Sequence, residues 1–91
     1  MIIRVKAFAR FGEVLGKELA LELDHGSDID GLLALLCASQ DAYDLIFDES
    51  GTIRDYVTIL KGGRHIQSLD GVRTVLKDGD EVAIFPPVAG G

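Results

Sequence analysis

The sequence predicts a two-layer α+β domain, a mixed four- to five-stranded sheet packed on one main helix. Apolar residues alternate with polar ones near both ends of the chain. A single stretch between them carries helical spacing. Glycine turns separate the later apolar runs.

Residues 2–8 place Ile3, Val5 and Ala7 on one side and Ile2, Arg4, Lys6 and Phe8 on the other, the period of a half-buried strand. Gly12 and Gly16 then bracket a turn or a single helical turn over residues 9–16. Residues 18–24 alternate again, with Leu19, Leu21 and Leu23 inward. A connection this short predicts an antiparallel hairpin. The period next changes. Ile29, Leu32, Leu33 and Leu36 stand at i, i+3, i+4 and i+7, the stripe of a helix of about 12 residues running to Ser39. Ser27 and Asp30 resemble a capping box at its start, and Leu35 widens the stripe.

Residues 40–55 read as a loop with at most one short turn of helix. Residues 56–60 are a β-rich run with Val57 and Ile59 on one face, and Lys61-Gly62-Gly63 turns it back into a short strand over residues 64–66. Leu69, Val72, Val75 and Leu76 are the expected anchors of residues 67–77. Asp78-Gly79-Asp80 forms a turn before the last strand, Glu81–Phe85, with Val82 and Ile84 inward and Glu81, Ala83 and Phe85 outward.

Ninety-one residues with 47% apolar content suffice for one core. The single cysteine, Cys37, excludes an internal disulfide and a four-thiolate metal site, and its apolar neighbourhood makes it a buried hydrophobe. A net charge of −6 disfavours nucleic acid as a partner. No apolar run approaches the roughly 20 residues of a membrane span and no signal-peptide pattern opens the chain, so the expected location is cytoplasmic, without a membrane partner. His25 and His65 lack a second ligand at metal spacing, and Asp41, Asp44, Asp48 and Glu49 read as a solvated loop. No metal site and no catalytic side chain are expected.

Chemistry concentrates in the last residues. Proline has no N–H, so Pro86 and Pro87 stop the ladder and direct the chain off the sheet. Residues 1–85 are therefore expected to be the folded domain and residues 86–91 a flexible diglycine tail. Val88-Ala89-Gly90-Gly91 would extend about 13–14 Å, enough to enter a partner's pocket. Gly90 and Gly91 pass through a narrow channel, and the Gly91 carboxyl carbon is unhindered. A carboxylate is a poor electrophile. Its activation is expected as an acyl-adenylate, from which a sulfur donor would yield a thiocarboxylate and a lysine amine an isopeptide. Where the first and last strands lie side by side, as in the fold that the terminal motif implies, outward Phe8 and Phe85 are candidates for one exposed aromatic patch beside the tail, if they do not simply pack on each other or under residues 9–16.

The run Asp78-Gly79-Asp80-Glu81-Val82-Ala83-Ile84-Phe85-Pro86-Pro87-Val88-Ala89-Gly90-Gly91 resembles the end of the MoaD/ThiS-like, ubiquitin-like sulfur carriers. Among these the chain looks most like the small subunit of molybdopterin synthase, with archaeal small modifier proteins as near relatives. The strand and helix order suits their fold, the ubiquitin-like β-grasp. The resemblance implies that Gly91 is adenylated by an E1-like enzyme that uses ATP, then converted to a thiocarboxylate by a sulfur donor. It implies insertion into the molybdopterin synthase large subunit, which would hold the catalytic residues, and no cofactor bound to this chain. Phe8, Phe85, Pro86, Pro87, Val88 and Ala89 would meet the partner. Lys61-Gly62-Gly63 departs from the valine-asparagine-glycine turn common in the family. A protein modifier joined through Gly91 to lysines would use the same tail and activation, and a plain interaction domain would use neither.

Overall fold

A computed structural model describes residues 1–86. Strands β1 (Ile2–Ala7), β2 (Glu18–Glu22), β3 (Thr58–Lys61), β4 (Arg64–His65) and β5 (Glu81–Phe85) form one sheet in the order β2-β1-β5-β3-β4. Three helices, α1 (Arg10–Leu15), α2 (Ile29–Leu36) and α3 (Gln40–Ile46), complete the α+β arrangement with two short 3₁₀ turns.

The alternating ends of the chain meet at the centre of the sheet. β1 pairs antiparallel with β2, Val5 opposite Leu19, and parallel with β5, Val5 beside Val82. β5 pairs antiparallel with β3, Ile84 opposite Ile59. Ile3, Val5, Val82 and Ile84 are completely buried, against Leu32 and Leu33 of α2. Full burial of each such side chain contributes about 1.5–3 kcal/mol. The turn before β5 is tied to β1. Asp78 Oδ1 accepts from the Ile2 N–H at 2.7 Å, and the Gly79 N–H donates to the Ile2 carbonyl. These bonds set the parallel register.

The helical layer departs from the sequence expectation in several places. The cap of α2 is Asp28, whose carboxylate accepts from the Gly31 N–H at 2.9 Å, and not Ser27 with Asp30. The helix has 8 residues instead of about 12 and ends at Leu36. Ser39 Oγ then accepts from the Ala42 N–H and starts α3, two turns where a loop with at most one short turn of helix was expected. The apolar positions of α3 are Ala42, Leu45 and Ile46, too few to stand out as a period. Leu35 does not widen the buried stripe, being 49% exposed. At 100° per residue it lies roughly 110° from the stripe's centre.

Two strand-side expectations also change. Ile66 leaves β4 for a 3₁₀ turn and is buried there. Val75 is no anchor: it is 55% exposed, because Thr74 and Leu76 occupy the inward positions on either side. The Ile29 N–H donates to the Thr74 carbonyl and the Leu76 N–H to that of Ser27, which stitches this segment to the start of α2. Gly62 and Gly63 turn β3 into β4 with φ of 56° and 81°, values that a side chain would strain.

Candidate functional site

The outer face of the sheet, away from the helices, carries the sequence-predicted site residues that lie among those described. Alternation along β5 sends Val82 and Ile84 into the core and leaves Glu81, Ala83 and Phe85 on the other side. Phe8, one residue past β1, continues the outward side of that strand, and its N–H donates to the Ile84 carbonyl at 3.1 Å. This bond holds Phe8 beside Phe85. Their rings stack with centroids 4.4 Å apart and planes within 3° of parallel. Such a pair adds about 0.5–1.5 kcal/mol beyond its buried area. Phe8 remains 41% exposed, so the rings pack on each other and still present an aromatic surface. Of the alternatives, packing on each other is the one seen, with Phe8 exposed and Phe85 half-buried.

The residue after Phe8 is strained. Ala9 has φ 53° and ψ −132°, the one non-glycine residue at positive φ among those described. This conformation turns the chain from β1 into α1, immediately beyond the aromatic pair.

Sequence reasoning missed Leu60 as a member of this face. Register places it opposite Ala83, and alternation with buried Ile59 sends it outward. That alternation was the available signal. Phe8, Phe85, Ala83 and Leu60 form the apolar centre, with Thr58 opposite Phe85. Charge adjoins it: Lys6 and Glu81, on the same side by alternation, pair at 3.7 Å, whereas Lys61 and Asp80, which alternate onto the opposite side, pair at 3.7 Å. Both pairs reach solvent and contribute little to stability. An apolar centre with a charged rim is the anatomy of a protein-docking surface.

Pro86, half-buried, follows Phe85 directly, so the chain leaves the sheet beside the aromatic pair. The expectations for Pro87, Val88, Ala89, Gly90 and Gly91, and for a flexible tail, fall on residues outside those described.

Among the described residues, other reactive groups serve local structure and form no chemical centre. Cys37 is buried, and burial pushes its thiol up to about 11, leaving the unreactive protonated form at neutral pH. His65 is half-buried, and its Nδ1 accepts from the Gln67 N–H at 3.1 Å. Asp48 accepts from the Ser50 hydroxyl and from the Ser50 and Thr52 N–H groups, and these bonds lower its pKa. It organises its own loop. Among the described residues no three His, Cys, Asp or Glu side chains converge as metal ligands, and no helix is long and apolar enough to cross a membrane.

Against known proteins, residues 5–91 match the family described as ThiS. The chain belongs to the ThiS family. Its members here are ubiquitin-like sulfur carriers and modifiers. Small archaeal modifier protein 3 of Haloferax volcanii is 39% identical, with all of both chains covered. The molybdopterin synthase sulfur carrier subunit of Chlamydomonas reinhardtii is 35% identical, again over the whole of both. The crystal structure of small archaeal modifier protein 1 from Haloferax volcanii superposes with a TM-score of 0.85 at 27% identity, covering both chains fully. The ThiS-family chain thus has the ubiquitin-like β-grasp fold expected of it, and its relatives are small carriers and modifiers.

Proposed function

We propose that this chain is a sulfur carrier for molybdopterin synthesis, working through the α-carboxylate of Gly91. The carrying observation is that the family match extends through Gly91, the end of a run that starts beside the stacked pair of exposed Phe8 and half-buried Phe85. The 35% identity to a molybdopterin synthase sulfur carrier subunit supports this acceptor.

The chemistry has two steps. A carboxylate oxygen of Gly91 attacks the α-phosphorus of ATP on an E1-like enzyme, and pyrophosphate leaves. Sulfur from a donor then attacks the acyl carbon of the adenylate, AMP departs, and a thiocarboxylate remains. Gly90 and Gly91 offer no side chain to obstruct either attack. Catalytic side chains belong to the partners: the E1-like enzyme for activation, the molybdopterin synthase large subunit for transfer. This chain supplies the reacting carboxyl and a docking face centred on Phe8 and Phe85, with Pro86, Pro87, Val88 and Ala89 leading into the partner. The fully buried core under that face keeps it rigid, so docking orders few of the carrier's own groups.

A second reading is a protein modifier joined through Gly91 to lysine amines, favoured by the 39% identity to small archaeal modifier protein 3. One experiment separates them. The full chain is mixed with ATP, an E1-like enzyme and a sulfide source, and intact masses are measured with and without lysine-bearing acceptor proteins. A gain equal to replacing one oxygen by sulfur, followed by sulfur release to the synthase large subunit, supports the carrier. Conjugates cleavable to a Gly-Gly remnant on lysine support the modifier. Neither product, with an activating enzyme proven competent on another carrier, overturns both.

A further inference from the structure

On the other side of the sheet the helices leave a two-lobed groove that the tail chemistry does not use. One lobe, about 400 Å³, lies over Ile53, Val57, Ile66 and Val72. The other, about 360 Å³, lies against Leu33, Ala34, Cys37 and Tyr43. Asp30, Phe47 and Gly51 line both, so the lobes flank a common neck. Tyr43 stacks on Phe47 with centroids 4.8 Å apart and stiffens the wall between them. Each lobe is within the usual size of a small-ligand pocket, and each is walled largely by apolar side chains.

The charge of the groove narrows its occupant. Asp30 at the neck and Asp55 in the larger lobe are exposed and make no ion pair or side-chain hydrogen bond among the described residues. Arg54 and His65 also line the larger lobe, but Arg54 directs its Nε–H to the Asp44 carbonyl at 2.8 Å, and His65 Nδ1 is held by the Gln67 N–H. The neck itself carries only the carboxylate. A ligand spanning both lobes would set one apolar group in each and pass a cation across Asp30.

We infer that this groove docks a segment of a partner protein in which two apolar side chains bracket a lysine or arginine. Asp30 pairs with the cation, and Phe47 separates the two apolar anchors. The groove opens on the helical side and Phe8 and Phe85 lie on the outer face, so a partner held here leaves the carrier's working face free. The inference does not depend on which chemistry Gly91 performs.

The test titrates isotope-labelled full-length protein with the capped peptide Leu-Gly-Arg-Gly-Leu and follows backbone amide shifts. Saturable shifts at Asp30, Phe47, Gly51, Ile53 and Val72 are expected, with those at Phe8 and Phe85 unchanged. Replacing the peptide's arginine by glutamate should weaken binding by about tenfold or more, as should Asp30→Lys in the protein, with about threefold for Asp30→Asn. The α2 cap is Asp28, so both Asp30 variants keep it, and their unchanged spectra elsewhere confirm the fold. Equal binding of the glutamate peptide, shifts centred on the sheet face, or no binding would each overturn the inference. So would concentration-dependent shifts of the groove amides without peptide, which would assign the groove to a second copy of the chain.

Discussion

The two sides of the sheet solve different problems. The outer face is built by strand alternation, and hydrogen-bonded ladders place Phe8, Leu60, Ala83 and Phe85 across three neighbouring strands. The helical side is assembled from short pieces, α2, α3 and the segment after them, whose packing leaves an indented groove at Phe47. A ladder fixes the spacing of side chains by backbone geometry, giving a level platform suited to a broad partner. Short helices joined by capped turns give relief, suited to side chains inserted from outside. A small carrier or modifier that docked on more than one protein would gain from having one surface of each kind.

The sharpest way to separate the two sides is to remove Gly90-Gly91. Adenylation by the E1-like enzyme should fall to background, while the thermal midpoint and peptide binding in the groove stay as before. Every buried core residue among those described lies at or before Ile84, which is why stability should hold. A large drop in melting temperature would show that the tail supports the domain. Next in size, Phe85→Ala should weaken binding to the synthase large subunit about tenfold by calorimetry, with a stability loss of about 2 kcal/mol from the broken stack and the lost half-buried area together. Unchanged affinity would remove the aromatic pair from the docking face.

A smaller effect tests the strain beside that pair. Ala9→Gly should relieve the φ of 53° and raise stability by up to about 1 kcal/mol in denaturant unfolding, after allowance for the greater freedom of glycine in the unfolded chain. Loss of stability instead would mean that Ala9 is not strained. The smallest effect belongs to the helical side. Asp48 has a pKa below its ordinary 3.8, chiefly because the Ser50 hydroxyl donates to it. Its stabilising contribution is therefore present above that ordinary value and is lost as pH falls through the lower folded one. Between neutral pH and about pH 3, the thermal midpoint of Asp48→Asn should decline slightly less than that of the parent. A steeper decline would reverse the assignment.

The contrast also explains what the amino-acid order made legible. Strands announce themselves over few residues, because Ile3-Val5-Ala7 and Val82-Ile84 need only a period of two and one buried face. Phe8 and Phe85 could be placed on one face only through the expected β-grasp fold, in which the first and last strands are neighbours, as β1 and β5 are here. Helix α3 was hidden: with 7 residues it spans barely two turns, and Ser39, its cap, reads in the sequence as the end of the preceding helix. Leu60 was readable from its neighbour Ile59, but only register showed that it shares a patch with Ala83. The groove could not be read at all, since Asp30, Phe47, Gly51 and Val72 have no common pattern along the chain.

The parallel pairing of β1 with β5 bears on how the molecule comes into being. The strand that fills the middle of the sheet, between β1 and β3, is the final one to be synthesised among those described. A nascent chain halted before Glu81 would lack the partner of two strands at once, so its sheet would stay in separate hairpins and its apolar faces uncovered. Completion of the sheet is thereby deferred until β5 has been synthesised. Proteolysis would clear products halted before β5, and the stable pool would consist of chains that carry that strand.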